Sequence, residues 1–235
     1  MSKTKIEWTE YSWNFITGCN KISPGCRNCY AETIAKRFWK DRKFTDILID
    51  ESKLDLPHHL KKPRMIFVNS MSDLFHERIP AVILNRAFDV MLQTNHTYQI
   101  LTKRPERMLE HLKLTNVGLS KNIWFGVSVE NQKAANERIP ILLQTPAAIR
   151  WLSVEPLLEP IAFELLEGIN WVVIGAESGH NRRECKIEWV EDIIDQCKQA
   201  HVPVFVKQLS IDGKVVKDIS LFPKHLQIRE YPKNF

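Results

Sequence analysis

Three of the five cysteines fall close together, in the segment Trp13-Asn-Phe-Ile-Thr-Gly-Cys19-Asn-Lys-Ile-Ser-Pro-Gly-Cys26-Arg-Asn-Cys29-Tyr30. The two residues between Cys26 and Cys29 let two sulfurs approach one centre. The six residues after Cys19, with Pro24 and Gly25 among them, let the third sulfur swing round without helical constraint. Thiolates are soft ligands that select zinc, copper(I) or iron-sulfur clusters. A structural zinc site wants four ligands, and the next Cys or His after Cys29 is the pair His58 and His59. Cys197 shares an apolar helical stripe with Val190, Ile193 and Ile194, which is the place of a core cysteine; Cys185 carries no such assignment. A cluster held by Cys19, Cys26 and Cys29 leaves one iron open to a cofactor or substrate. A thiol oxidoreductase built on Cys26 and Cys29 is a weaker option, because that motif opens a helix beside a thioredoxin-like strand and leaves Cys19 unexplained.

A second set of polar residues lies downstream, each group just past a short apolar run: Asn69-Ser70-Met71-Ser72-Asp73, Thr102-Lys103-Arg104, Ser128-Val129-Glu130-Asn131, Ser153-Val154-Glu155-Pro156, Gly175-Ala176-Glu177-Ser178-Gly179 and Lys207-Gln208. Turns need polar residues, so each group alone is ordinary. Six in succession suggest the lining of one shared cavity, since parallel α/β folds place their chemistry at the carboxyl ends of strands.

The runs that must position these groups predict strands over Met65 to Val68, Tyr98 to Leu101, Ile123 to Val127, Ile149 to Leu152, Trp171 to Ile174 and Val204 to Val206, with an early strand over Trp13 to Thr17. Ala81 to Gln93, Pro105 to Lys113, Asn131 to Leu143 and Glu188 to Ala200 read as helices. Strands apolar nearly throughout are buried on both faces, as in a parallel sheet covered by helices. The expected fold is α/β, a partial (β/α) TIM-like barrel of about six to seven parallel strands, with a doubly wound open sheet as its main competitor. One domain over 1–235 is expected: a cysteine loop at 13–30, strand-helix repeats at 64–208 and a short extension at 209–235, with a turn at Asp212-Gly213.

Composition sets the limits. Of 235 residues, 44% are hydrophobic and 26% charged, which rules for a packed core and against disorder. No apolar run approaches the about 20 residues of a spanning helix, and the start, Met1-Ser-Lys-Thr-Lys-Ile-Glu-Trp8, carries no secretory signal, so the expectation is a cytoplasmic protein with no membrane partner. Clustered thiols in a reducing compartment read as metal ligands rather than disulfides. The net charge of +5, with basic groups at Lys36-Arg37, Lys40-Asp41-Arg42-Lys43, Lys61-Lys62-Pro63-Arg64, Lys103-Arg104 and Arg182-Arg183, is compatible with a polyanionic partner and equally with solvated helix faces.

The chain resembles the radical S-adenosylmethionine superfamily, and more closely a phage-associated three-cysteine family. The resemblance rests on Trp13-Asn-Phe-Ile-Thr-Gly-Cys19, Cys26-Arg-Asn-Cys29-Tyr30, Asn69-Ser-Met-Ser-Asp-Leu-Phe-His76, Leu101-Thr-Lys-Arg-Pro105, Gly126-Val-Ser-Val-Glu-Asn131, Leu152-Ser-Val-Glu-Pro156 and Gly175-Ala-Glu-Ser-Gly179, and spans most of the chain. Most of the superfamily spaces its cysteines by three and then two residues, where this chain has six and two, and position 28 is Asn where an aromatic residue is usual.

The resemblance implies a 4Fe-4S cluster on Cys19, Cys26 and Cys29 whose open iron chelates S-adenosylmethionine. One electron then breaks the sulfonium bond, and the resulting deoxyadenosyl radical takes hydrogen from a substrate. Asn69, Ser70, Ser72 and Asp73 fall where the superfamily meets the cofactor's amino group, Asp73 being the natural acceptor. Lys103 or Arg104 neutralises the methionine carboxylate, Ser128, Glu130 and Asn131 meet ribose hydroxyls, Glu155 joins them, and Gly175 and Glu177 shape the adenine side. The structural alternatives are that Asp73 caps a short helix, that Glu130 and Glu155 pair with cations at the rim, and that His76 is a surface or satisfied histidine. Trp8, Trp13, Trp124, Trp151 and Trp171 read as core, with Trp13 beside the cysteine loop. A nucleic acid or nucleotide substrate, an electron donor and a partner protein that closes the site complete the expectation. The competing reading is a metal- or cluster-stabilised barrel acting as an accessory or nucleic-acid-binding protein.

Overall fold

The apolar runs become strands at the expected places. The computed structural model describes residues 1–179 and 181–232. Its strands are β1 (Ser2–Lys3), β2 (Tyr11–Trp13), β3 (Ile16–Thr17), β4 (Leu48–Ile49), β5 (Met65–Val68), β6 (Thr97–Thr102), β7 (Ile123–Ser128), β8 (Ile149–Val154), β9 (Trp171–Gly175), β10 (Val204–Ile211) and β11 (Lys214–Val216). Its helices are α1 (Tyr30–Phe38), α2 (Ala81–Gln93), α3 (Pro105–Lys113), α4 (Gln132–Gln144) and α5 (Ile187–Gln199).

Nine strands form one sheet in the order β1-β2-β5-β6-β7-β8-β9-β10-β11, and β3 pairs with β4 apart from it. The neighbours from β2 through β10 run parallel, while the short edge strands β1 and β11 are antiparallel. The architecture is therefore mixed α/β with a large, mostly parallel sheet. Within it the spatial order follows the chain order throughout. A doubly wound sheet turns back at a switch point, and this sheet has none.

Alternation along the strands explains the two cores. One set of side chains faces the helices: Ile66 and Val68, Ile100, Phe125 and Val127, Leu152 and Val154, Val172 and Ile174, Val204 and Val206 all join the larger cluster, with Ile83, Ala87, Phe88 and Met91 of α2 and Val190, Ile193, Ile194 and Cys197 of α5. The other set points to the opposite face, where Phe67, Trp124, Ile149, Trp151, Trp171, Val173 and Phe205 gather around Trp8. The Trp8 ring lies 4.8 Å from Phe67 on β5, 5.3 Å from Trp151 on β8 and 6.1 Å from Trp171 on β9. A flat sheet would hold β5 and β9 about 19 Å apart, at about 4.8 Å per strand. One indole touching rings on both strands requires a strongly curled sheet.

Gly126 makes room for this inner core. A Cβ at that position would stand 2.5 Å from the Trp151 indole, which is fully buried. Overpacking of this kind costs about 1–3 kcal/mol, so Gly126→Ala lowers the urea unfolding free energy by about 2 kcal/mol. An unchanged midpoint would show that the Trp151 ring has room to move.

Three expectations need correction. The early strand over Trp13 to Thr17 is split: β2 ends at Trp13, and Ile16–Thr17 leaves to pair with Leu48–Ile49. The chain breaks there because Asn14 bonds across to Ser70 and Met71. The strand at Val204 runs on to Ile211 and returns through Asp212-Gly213 into β11; both turn residues take positive φ, 47° and 68°, as a two-residue hairpin turn requires. The sequence reading also lacked α1. No helix among the described residues is long and apolar enough to cross a membrane.

Candidate metal and cofactor site

The inner-face stripes that are apolar at the start of each strand turn polar at its end. Phe67 gives way to Asn69, Leu101 to Lys103, Trp124 and Gly126 to Ser128, Trp151 to Ser153 and Glu155, and Val173 and Gly175 to Glu177. These ends meet in a cavity of about 390 Å³. Ile6, Trp8, Phe67 and Leu101 supply its apolar wall, and Asn69, Ser70, Ser72, Asp73, Lys103, Ser128, Ser153, Glu155, Glu177, Lys207 and Gln208 its polar one. Cys19, Cys26 and Cys29 line the same space. The volume falls in the range of small-molecule sites, about 300–1,000 Å³.

The loop carrying the cysteines is tied to the sheet at both ends. Near Cys19, the Gly18 N–H donates to Met71 O (3.0 Å), Ser72 Oγ donates to Gly18 O (2.6 Å), and the Cys19 N–H donates to Phe44 O (2.9 Å). Near Cys29, Asn28 Nδ2 donates to Glu177 Oε2 (2.9 Å) and Asn181 O (2.7 Å), Arg183 Nη1 donates to Pro24 O (3.0 Å), and Tyr30 Oη donates to Ser70 O (2.6 Å). Between them Gly25 rests on Glu130, whose carboxyl carbon a Cβ there would meet at 2.9 Å.

Charge is distributed in separate pairs. Arg104 bridges Asp73 Oδ2 (3.0 Å) and Glu77 Oε2 (3.1 Å), and its Nη1 lies 3.9 Å from Cys19 Sγ. Asp73 also accepts from Thr102 Oγ1 (2.7 Å), Phe75 N (3.0 Å) and Lys103 N (3.1 Å). Glu130, fully buried, receives Lys103 Nζ (3.0 Å) and Arg138 Nη1 (2.8 Å). Burial alone would raise its pKa, but these two cations, with Ser23, hold it down at about 2. Glu155 pairs with Lys207 (2.7 Å). Glu177 receives Arg183 N (2.8 Å) and Nε (3.0 Å), and its second oxygen meets Arg183 Nη2; these bonds and Asn28 hold its pKa low against the opposing effect of burial.

The thiols behave differently. Burial pushes Cys19 up to about 11, with Asp73 adding to the rise and Arg104 opposing it, and burial raises Cys29 as well. A redox pair of the thioredoxin kind works through a lowered thiol. Here Cys19 and Cys29 are shifted the other way, toward the protonated thiol, and metal must displace those protons on binding.

Most of the expected residues are brought together, and three are not. Glu130 lies under the cysteine loop behind Lys103, outside the cavity lining. Asn131 caps α4, its Oδ1 accepting from Ala134 N (2.8 Å), and is also outside the lining. Gly175 does not line it either; it gives room to Glu155, whose Oε1 would stand 2.5 Å from a Cβ at 175. Asp73, within the lining, begins the turn at Phe75 as a cap and anchors Arg104. His76 is fully buried, with Nδ1 accepting from Arg78 N (3.2 Å). Trp13 packs on Phe15 and Tyr98 and does not line the cavity. Sequence reasoning missed Asn28, Tyr30 and Arg183 and gave Ser153, which it placed in the shared lining, no role of its own. Only Ser153 carried a signal, the inner-face alternation of β8.

The three thiols are the soft ligands of the cavity among the described residues. Cys19, Cys26 and Cys29 share one cavity, and no histidine lines it among the described residues. Among the described residues, no group of three or more His, Cys, Asp and Glu converges as a single metal ion requires. Asn69 Nδ2, Arg104 Nη2 and Gln208 Oε1, all on cavity-lining residues, are buried without a hydrogen-bond partner among the described residues, whereas buried polar groups are nearly always paired. They offer a polar ligand its contacts.

No curated protein matches the chain, and no solved structure does. A family model described as a protein of unknown function, DUF5131, matches residues 3–220. That span takes in the cysteine loop, every parallel strand and all the strand ends that build the cavity, so the chain belongs to the DUF5131 family.

Proposed function

We propose that this protein is a radical S-adenosylmethionine enzyme that carries a 4Fe-4S cluster in a partial (β/α) TIM-like barrel. One observation carries the reading: three cysteines line a cavity at the carboxyl ends of the parallel strands, beside polar groups without partners among the described residues. The curled sheet, with strands ordered as in the chain, supports the barrel.

Cys19, Cys26 and Cys29 hold the cluster, and Asn69, Ser70, Ser72, Ser128, Ser153, Glu155 and Glu177 surround the cofactor's space. When bound, the two groups together supply one-electron cleavage of a sulfonium bond and hydrogen-atom abstraction. The chain's own residues position and insulate. Asp73 orients Arg104, and Arg104 places a cation beside Cys19, which favours the thiolate. Lys103, held by Glu130, presents its charge to the cavity. The apolar wall of Trp8, Phe67 and Leu101 keeps water from the reacting atoms. An external electron donor is required, which fits a cytoplasmic setting, and the substrate class is a nucleic acid or nucleotide.

The test is anaerobic reconstitution with iron and sulfide, followed by electron paramagnetic resonance of the reduced protein with and without S-adenosylmethionine. The expected result is a 4Fe-4S signal that shifts on cofactor addition and is absent from Cys26→Ala. Stoichiometric zinc without a cluster would overturn the radical mechanism and leave the loop a structural element of an accessory protein.

A further inference from the structure

A second recess lies on the other side of Cys19. It is a groove of about 710 Å³ between α1 and the segment that follows, lined by Lys21, Lys36, Trp39, Lys40, Arg42 and Lys43 among others. Glu32 is the one carboxylate in its lining among the described residues, and Lys21 (2.7 Å) and Lys36 (3.0 Å) already share it. Lys40 and Lys43 are exposed and make no ion pair among the described residues. The guanidinium of Arg42 lies 3.5 Å from the centroid of the Trp39 ring, and Trp39 stands 5.9 Å from the Phe44 ring. Cys19, Asn20 and Phe44 line both the groove and the cysteine cavity.

We propose that this groove binds single-stranded nucleic acid and leads one nucleotide toward the cysteine cavity. Unpaired lysines beside a flat stack of guanidinium and indole match the two demands of a single strand, whose phosphates need cations and whose bases need planar faces. A duplex hides its base faces. The adjoining cavity, at about 390 Å³, is of small-molecule size, which suits an enzyme that takes a base out of its stack before acting on it. As a statement about substrate this rests on the proposed radical function; as a statement about binding it needs only the groove.

The experiment is fluorescence anisotropy of a labelled 20-nucleotide single-stranded DNA, and of RNA of the same sequence, with the full chain. The expected result is binding with a salt slope of about −2, the value for three phosphates on a single strand. Lys40→Glu/Lys43→Glu should weaken it at least tenfold and flatten the slope, with an unchanged melting temperature. Trp39→Ala should weaken it about tenfold through lost stacking. Binding is measured on the parent protein before and after anaerobic reconstitution: a parent that assembles no cluster yet binds the strand refutes the radical function and leaves the groove standing. Equal or tighter binding of a duplex, preference for vesicles of phosphatidylserine and phosphatidylcholine, or affinity unaltered by the double substitution each overturn the proposal.

Discussion

Glu130→Gln lowers the unfolding free energy by about 3–5 kcal/mol near neutral pH, the cost of breaking a buried ion pair from one side. The carboxylate is fully buried, with Lys103 Nζ at 3.0 Å and Arg138 Nη1 at 2.8 Å, and Arg138 is itself buried. Glutamine keeps the shape but leaves both cations uncompensated. The pH profile separates a charge effect from a packing effect. Lys103 and Arg138 hold the folded Glu130 carboxyl down at about 2, below the ordinary glutamate value of about 4.3. A depressed folded pKa gives stability that is fully present above the unfolded value and disappears as pH falls through the folded one. The shift corresponds to about 3 kcal/mol, at about 1.4 kcal/mol per unit. Urea unfolding of the two proteins should therefore converge by about that amount between pH 5 and pH 2. Parallel profiles would show that the loss comes from packing alone.

The interior of the sheet was legible because it obeys simple rules. Runs such as Trp171-Val-Val-Ile-Gly175 are apolar on both faces, and only a covered parallel sheet buries both. Ala81–Gln93 and Pro105–Lys113 begin and end at the expected residues, marked by Pro80 and Pro105. The start of the chain was harder. Trp13 and Ile16 are both fully buried, so apolar content cannot distinguish a continuous strand from one broken at Asn14. The break depends on Asn14 reaching Ser70, 56 residues away, and such a contact leaves no local mark. Helix α1 was legible but missed: Tyr30, Ala31, Ile34, Ala35 and Phe38 recur at helical spacing, directly after a loop that was read for its cysteines alone.

The site divides in the same way. Ser128 and Asn131 look alike in the sequence, as polar residues past an apolar run. Ser128 sits on the inner-face alternation of β7 and lines the cavity, whereas Asn131 begins α4 and its side chain closes the helix end. Period decides between them: residues two apart on a strand share a face, and the first residue before a helix is a cap. Asn28 and Arg183 lie outside both rules. Each acts on Glu177 or the cysteine loop across a long stretch of chain, 149 residues for Asn28, and only folding brings them together.

That distant contact sets the second large effect. Cys26 and Cys29 flank Asn28, whose amide is fixed by Glu177 Oε2 at 2.9 Å, and Arg183 joins Glu177 to Pro24 O at 3.0 Å. Glu177 is thus a post from which both sides of the Cys26–Cys29 turn are held. Removing groups that orient metal ligands lowers metal affinity about 10–100-fold, and Glu177→Ala removes the partner of Asn28 and Arg183 together. On the proposed cluster, the reconstituted variant should lose iron to a chelator about 10–100 times faster than the parent, where Cys26→Ala holds none. Glu155→Ala provides the comparison: its Lys207 partner lies at 2.7 Å on the same cavity, but neither residue touches the cysteine loop through a hydrogen bond or ion pair among the described residues. Cluster retention unchanged in Glu177→Ala, or lost equally in Glu155→Ala, would mean that the loop is held by its Cys19 end and that the Glu177 post does not govern it.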